Sequence, residues 1–263
     1  MASSLDGFNS RDGIANMSLS SASALAFEAL YLGISPSLKL FDQPLLGSLG
    51  KCFRIAYWEY HQTQDEPCSL ETVITLLYEY LKAWDRPVHL IGHGLSGVAA
   101  YLFACRYPQR VQSLTLLAVG GWPATTWHAH FYVQRKIFCW SREQLLVRIA
   151  QSLLPTSEQW RARSLSYALA KDLDTSPIPH SLFQVIAIPA QKVSVPMLVC
   201  ASKDDPIVDP ASLEKWRNHL KPGDQMWFCP GGRHFFHHSF PSLVNLKIMD
   251  FWQELRKLQP SMA

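Results

Sequence analysis

The chain has 263 residues, of which 48% are hydrophobic and 12% aromatic, enough to bury a large core and too apolar for a disordered or collagen-like chain. Its 24 Lys and Arg stand against 21 Asp and Glu, a formal net charge of +3 with no basic stripe, which argues against a nucleic-acid partner. The longest apolar stretch, Val98 to Cys105, stops at Arg106, far short of the roughly 18 residues that a transmembrane segment needs.

In chain order, residues 1–24 are rich in Ser, Asn, Gly and Asp without a sustained period, and read as a polar tail or lead-in. The start MASSLDGFNSRDG has neither the basic n-region nor the apolar core of a secretory signal, so the expected location is cytoplasmic. The cysteines Cys52, Cys68, Cys105, Cys139, Cys200 and Cys229 form no C-x-x-C pair and no metal-ligand spacing. They are expected to be reduced and mostly buried.

From Leu25 strand and helix patterns alternate: LAFEALYLGI, the helical face of KLFDQPLLGSL, then the strand FRIAYW. Ser69 stands where it can cap a helix whose apolar positions Leu70, Val73, Ile74, Leu77, Leu81 and Trp84 keep helical spacing until Pro87. VHLIG is apolar on both faces apart from His89, the mark of a central strand in a parallel sheet. A helix from Leu95 to Tyr107 and the strand VQSLTLLAV follow. Residues 122–190 carry helical patterns at Arg142–Leu154 and Ser157–Leu169, and no convincing strand precedes VPMLVCA. Helical spacing over Leu213–Leu220, the strand QMWFC and an amphipathic Leu243–Leu258 complete the chain. The fold class is therefore α/β, a mostly parallel central sheet flanked by helices. The core spans 25–121 and 191–263, with 122–190 inserted as a helical cap.

The window Leu90-Ile91-Gly92-His93-Gly94-Leu95-Ser96-Gly97 lies between a buried strand and a helix, the context of a nucleophile elbow. With RYPQRVQSLTLLAV after the helix it closely resembles the α/β-hydrolase superfamily, whose members read L-x-G-H-S-x-G-G and then A-x-x-x-P-x-R-V-x-x-L-x-L. Ser202-Lys203-Asp204-Asp205-Pro206 resembles the acid loop of that superfamily, and Pro230-Gly231-Gly232-Arg233-His234 its histidine loop, in the chain order the superfamily requires.

In that register the nucleophile position holds Gly94, which has no side chain to form an acyl-enzyme. Ser96, two residues into the helix, reads as a small packing residue. The resemblance implies a residual His234–Asp205 dyad, with Asp204 the neighbouring candidate for the acid, and oxyanion-type backbone amides at Ile34 and Leu95. The His-Gly expected after the third strand of the superfamily has become Leu32-Gly33-Ile34, and an aromatic and acidic run, Tyr57-Trp58-Glu59-Tyr60-His61, replaces its usual Gly-rich turn. A glycine introduced to trap a substrate complex would leave the same elbow, although the loss of the His before Gly33 weighs against a single introduced change. His237 and His238 in FFHHSF are spaced for a metal, but no second ligand cluster is legible, so no metal and no cofactor is expected.

The insertion opens with a run containing Trp122, Trp127, His128, His130 and Tyr132. These residues are candidates to line a binding pocket at the end of the sheet, or to anchor the cap on its core. Seven basic residues against four acidic ones give it an excess equal to that of the whole chain. The run W-H-A-H-F-Y-V-Q-R together with the elbow glycine also resembles a branch of the superfamily seen in cyanobacteria. The expected function is non-hydrolytic, in binding a small-molecule ligand or a protein partner. The alternative is an enzyme using His234 and Asp205 as general base, in hydrolase, lyase or cofactor-independent chemistry on a small acyl or carbonyl substrate.

Overall fold

The computed structural model describes residues 27–61, 69–122, 125–177, 180–181, 184–185 and 192–258. The expected lead-in at 1–24, Cys68 and parts of the insertion lie outside them. Six strands, β1 (Ala29–Gly33), β2 (Ile55–Glu59), β3 (Val88–His93), β4 (Val111–Leu117), β7 (Met197–Ser202) and β8 (Gln225–Cys229), form one sheet in the order β2-β1-β3-β4-β7-β8. Every pairing in it is parallel. The remaining pair, β5 (His180–Ser181) and β6 (Gln184–Val185), is a short antiparallel ladder that the sequence pattern does not announce.

Strand side chains alternate between two cores, as a period of two requires. Leu30, Leu32, Leu90, Leu114, Leu116 and Val199 point into one, and Tyr31, Ile91, Leu117, Leu198 and Cys200 into the other. Helices α2 (Leu70–Lys82) and α3 (Gly94–Arg106) bury their apolar stripes in the first. Helices α1 (Lys39–Leu49) and α9 (Pro241–Leu258) cover the second. Ser69 stands at the N-cap of α2 but makes no side-chain capping bond. Between β4 and β7 come α4 (Trp127–Ile137), α5 (Arg142–Leu153) and α6 (Ala162–Thr175). The segment expected to open a helix at Ser157 is a 3-10 turn, Thr156–Arg161, and α6 begins after it. The C-terminal third is completed by α7 (Pro210–Glu214) and α8 (Phe236–Ser239).

The thiol expectation needs correction: Cys200 and Cys229 are buried, but Cys52 and Cys139 are exposed. Both exposed thiols lie where an element has ended, after α1 and after α4, so the apolar residues beside them do not mark a core face.

The contact that fixes the elbow is between β3 and α3. A Cβ on Gly97 would lie 2.3 Å from Val119 Cγ2 and 2.8 Å from the Gly92 carbonyl oxygen, and one on Gly92 would lie 2.7 Å from the Gly97 backbone. Glycine at both positions is thus what lets the helix backbone rest on the strand. Gly97→Ala is expected to lower the unfolding free energy by about 1–3 kcal/mol, the usual cost of overpacking. Chemical denaturation checks this, and unchanged stability would contradict the close approach.

Candidate functional site

β3 ends at His93 in extended backbone, and α3 starts at Gly94 with φ 51. That left-handed conformation is open to glycine and strained for a residue with a Cβ. A Cβ at position 94 would lie 3.9 Å from His234 Nε2, so the ring faces the place where a nucleophile would stand.

His234 sits in a 3-10 turn, Arg233–Phe235, entered through Gly232 at φ 100. Its Nδ1 lies 3.0 and 3.2 Å from the two carboxylate oxygens of Asp205, and both residues are buried. Asp205 also accepts the backbone N–H groups of Ile207 at 2.8 Å and Val208 at 3.1 Å. Burial pushes its carboxyl up, but attraction to His234 and these hydrogen bonds outweigh burial and hold it below the ordinary value. A charged Asp205 can only accept, so Nδ1 carries the proton and Nε2 turns its lone pair toward position 94. Asp204 instead accepts the Arg233 N–H at 2.9 Å and the Ser202 hydroxyl at 2.6 Å, tying the two loops together.

The oxyanion expectation at Ile34 is corrected. Its backbone N–H donates to Ser96 Oγ at 3.1 Å, so the serine already occupies the donor that would hold a substrate oxygen. Ser96 is therefore more than a packing residue, and the tight helix contact belongs to Gly92 and Gly97. Around this bond lies a cavity of about 20 Å³ that reaches His234, lined among others by Gly94, Leu95, Ser96, Trp127 and His128. That volume holds about one water molecule. A roomier hollow of about 310 Å³ lies between α5 and α6, lined by Arg142, Arg163 and Tyr167 among others, and none of its lining residues belongs to the elbow or the dyad.

Among the insertion aromatics, Trp127 and His128 reach the cavity. Trp122 and Tyr132 do not line it and are exposed, and Trp122 lies under the Lys215 ammonium at 4.1 Å. His130 is half-buried, and burial together with the nearby His234 lowers its pKa while Asp205 raises it. Sequence reasoning missed the anchor beneath them. Asp172 on α6 is fully buried, accepting the Trp127 indole N–H at 3.0 Å and the hydroxyls of Ser37, at 3.3 Å, and Ser176. His128 Nε2 is 3.1 Å from the same carboxylate, at ion-pair distance without the alignment of a hydrogen bond. This one carboxylate fastens α4 and α6 to the turn after β1.

A second missed carboxylate, Asp42 on α1, lines the cavity together with His93. It accepts from Tyr31 at 2.8 Å, Tyr57 at 3.5 Å and His237 Nε2 at 3.1 Å. His93 Nε2 is 3.1 Å from the His234 carbonyl oxygen, and its ring centroid is 4.3 Å from that of His237. Asp42, His93 and His237 each offer a ligand atom within 4.8 Å of the others, and they are the group of described residues able to hold a metal ion together. The second ligand cluster that FFHHSF lacks in sequence is thus supplied by α1 and the elbow. His238 turns away from the group toward Glu158, at 3.5 Å. Both missed acids had a signal: Asp42 shares the buried stripe of Phe41, Leu45 and Leu49, and Asp172 that of Leu165 and Leu169, and an acid on an apolar stripe asks for a partner.

The sheet order, the elbow and the acid and histidine loops together define the α/β-hydrolase fold. Among solved structures, naproxen esterase from Bacillus subtilis superposes with a TM-score of 0.65 at 15% identity, covering 85% of this chain and 83% of that one. The chain is 43% identical over 233 residues to the uncharacterised protein alr2406 of Nostoc sp., covering 89% of this chain and 93% of that protein. To the uncharacterised protein sll0249 of Synechocystis sp. it is 40% identical over 232 residues, with 88% and 92% covered. The chain belongs to the family of these two cyanobacterial proteins. No family model matches it.

Burial pushes His89 down to about 4 and His237 down to about 3, and burial and neighbouring histidines hold His93 well below its ordinary value. These rings stay neutral in the folded state while the unfolded chain takes up protons near 6.5, so stability is lost as pH falls below that value. Asp42 acts oppositely. Burial raises its carboxyl from 3.8 to about 6, so the folded state binds that proton first and recovers stability between pH 6 and 4. Three histidines outweigh one carboxyl. The unfolding free energy is expected to be lower at pH 5 than at pH 7.5, by roughly 5 kcal/mol. Denaturant titrations at the two pH values measure it, and equal stability would mean the rings are not held neutral.

Proposed function

We propose that this protein has a non-hydrolytic role, binding a ligand or a protein partner on an α/β-hydrolase framework, with the inserted helices acting as a cap. The hydrogen bond from the Ile34 amide to Ser96 Oγ carries this reading. Acyl transfer by the usual route needs a nucleophile and a free oxyanion donor. Gly94 removes the first, and Ser96 engages one of the two expected donors, the Ile34 amide, leaving the Leu95 amide at the cavity. The small cavity beside His234, about 20 Å³, supports the same reading.

The test begins with a fluorophosphonate probe, which should leave the parent protein unlabelled; stoichiometric labelling at Ser96 would overturn the reading. Gly94→Ser is expected to lower stability by about 1–3 kcal/mol, because a Cβ is forced into left-handed backbone, while setting a hydroxyl near His234. If Gly94→Ser is no less stable than the parent, position 94 is not a strained elbow. Gly94→Ser combined with Ser96→Gly, which frees the Ile34 amide, should gain labelling over the single variant.

A second reading keeps chemistry at His234. Its lone pair faces a cavity sized for a water, and Asp205 holds the ring, the arrangement of a general base that activates water for attack on a small carbonyl compound. Any hydrolysis detected should then fall by roughly 100-fold or more in His234→Ala. Turnover that survives this change excludes the dyad as its source.

A further inference from the structure

We propose that the outer end of α4 and the loop after it, residues Tyr132 to Trp140, seat the protein on an anionic lipid surface. This surface is separate from the cavity, and the inference stands whether or not the reading of the dyad holds.

Helix α4 is apolar on two sides. Trp127, His128 and Phe131 face inward and are buried, whereas Tyr132, Val133 and Ile137 face solvent, with Ile137 64% exposed. A helix apolar on opposite faces needs an apolar environment on both. Beyond its end Phe138 and Trp140 are also exposed, their rings stacked with centroids 4.4 Å apart. Five large apolar side chains thus project from nine consecutive residues, a patch of the kind that marks an interaction surface.

Charge selects the occupant. Arg135 and Lys136 lie within the patch and are exposed, and no described carboxylate pairs with either. No Asp or Glu occurs between Asp85 and Glu143. Aromatic and aliphatic side chains interleaved with Lys and Arg are what the headgroup region of an acidic bilayer accepts: rings and aliphatics enter the acyl boundary while cations meet phosphates. A contact between copies of this chain through this segment would bring together two basic stretches that carry no carboxylate, which disfavours that occupant. No helix among the described residues is long and apolar enough to cross a membrane, so the mode is surface attachment.

Co-sedimentation of the full chain with vesicles of phosphatidylcholine and phosphatidylglycerol tests this against vesicles of phosphatidylcholine alone. Binding is expected on the acidic vesicles, weaker by at least about tenfold on the neutral ones, and falling as salt is raised. Ile137→Asp and Lys136→Glu alter exposed side chains and should keep the parent circular dichroism while each lowering vesicle binding. Failure to sediment with either vesicle, or an Ile137→Asp variant that binds like the parent, overturns the proposal. A dimer in sedimentation velocity that Ile137→Asp dissolves would overturn it too, assigning the patch to a second copy.

Discussion

The approach of α3 to β3 at Gly92 and Gly97 sets everything around it. Because the backbones touch, the turn between them has no slack, and Gly94 is driven to positive φ with its amide end aimed at the cavity. The same approach brings Ser96 beside the chain after β1, where its hydroxyl meets the Ile34 N–H. An elbow of this kind normally stores strain in a residue with a side chain. Here glycine relieves it, and the cavity loses its reactive atom.

Two buried carboxylates divide the remaining work. Asp172 ties α4 and α6 to the turn after β1, and Trp127 and His128 of α4 line the cavity beside Gly94. Asp42 joins α1, β1, β2 and α8 from below, through Tyr31, Tyr57 and His237. Tyr57 reaches it by lying across Gly33, where any Cβ would fall 2.1 Å from the phenol oxygen. Tyr57, within β2, is therefore a structural support for Asp42.

Strand and helix patterning made the sheet and most helices legible, since β3, β4 and β7 are buried on both faces and rich in apolar residues and α2 keeps a clean stripe. Helix α4 was harder to see because Tyr132, Val133 and Ile137 are exposed among Arg135 and Lys136, which blurs the apolar period. The His234–Asp205 pairing was legible from spacing within the resemblance. The Ser96–Ile34 bond was not, because it spans 62 residues and depends on the depth at which α3 packs. Nor were the partners of Asp42 and Asp172, although their positions on apolar stripes were visible. A buried acid announces that it has partners without saying where in the chain they lie.

Retention of His234 and Asp205 is by itself a weak argument for catalysis, because the histidine loop supports much else. The His234 carbonyl accepts from His93 at the end of β3, the Arg233 N–H donates to Asp204, and the Arg233 guanidinium reaches the Ser152 carbonyl on α5 at 2.8 Å. Removing the imidazole would leave the buried Asp205 carboxylate with only the Ile207 and Val208 amides, and a buried acceptor that loses a hydrogen-bond donor costs more than the bond contributes. Packing and hydrogen bonding alone therefore give this dyad a reason to stand beside an elbow that carries glycine. What distinguishes a working base from an inherited brace is the space beside Nε2, a cavity of about 20 Å³. Trp127 and His128, which line it, are held by Asp172, so widening it on the α4 side would break those contacts.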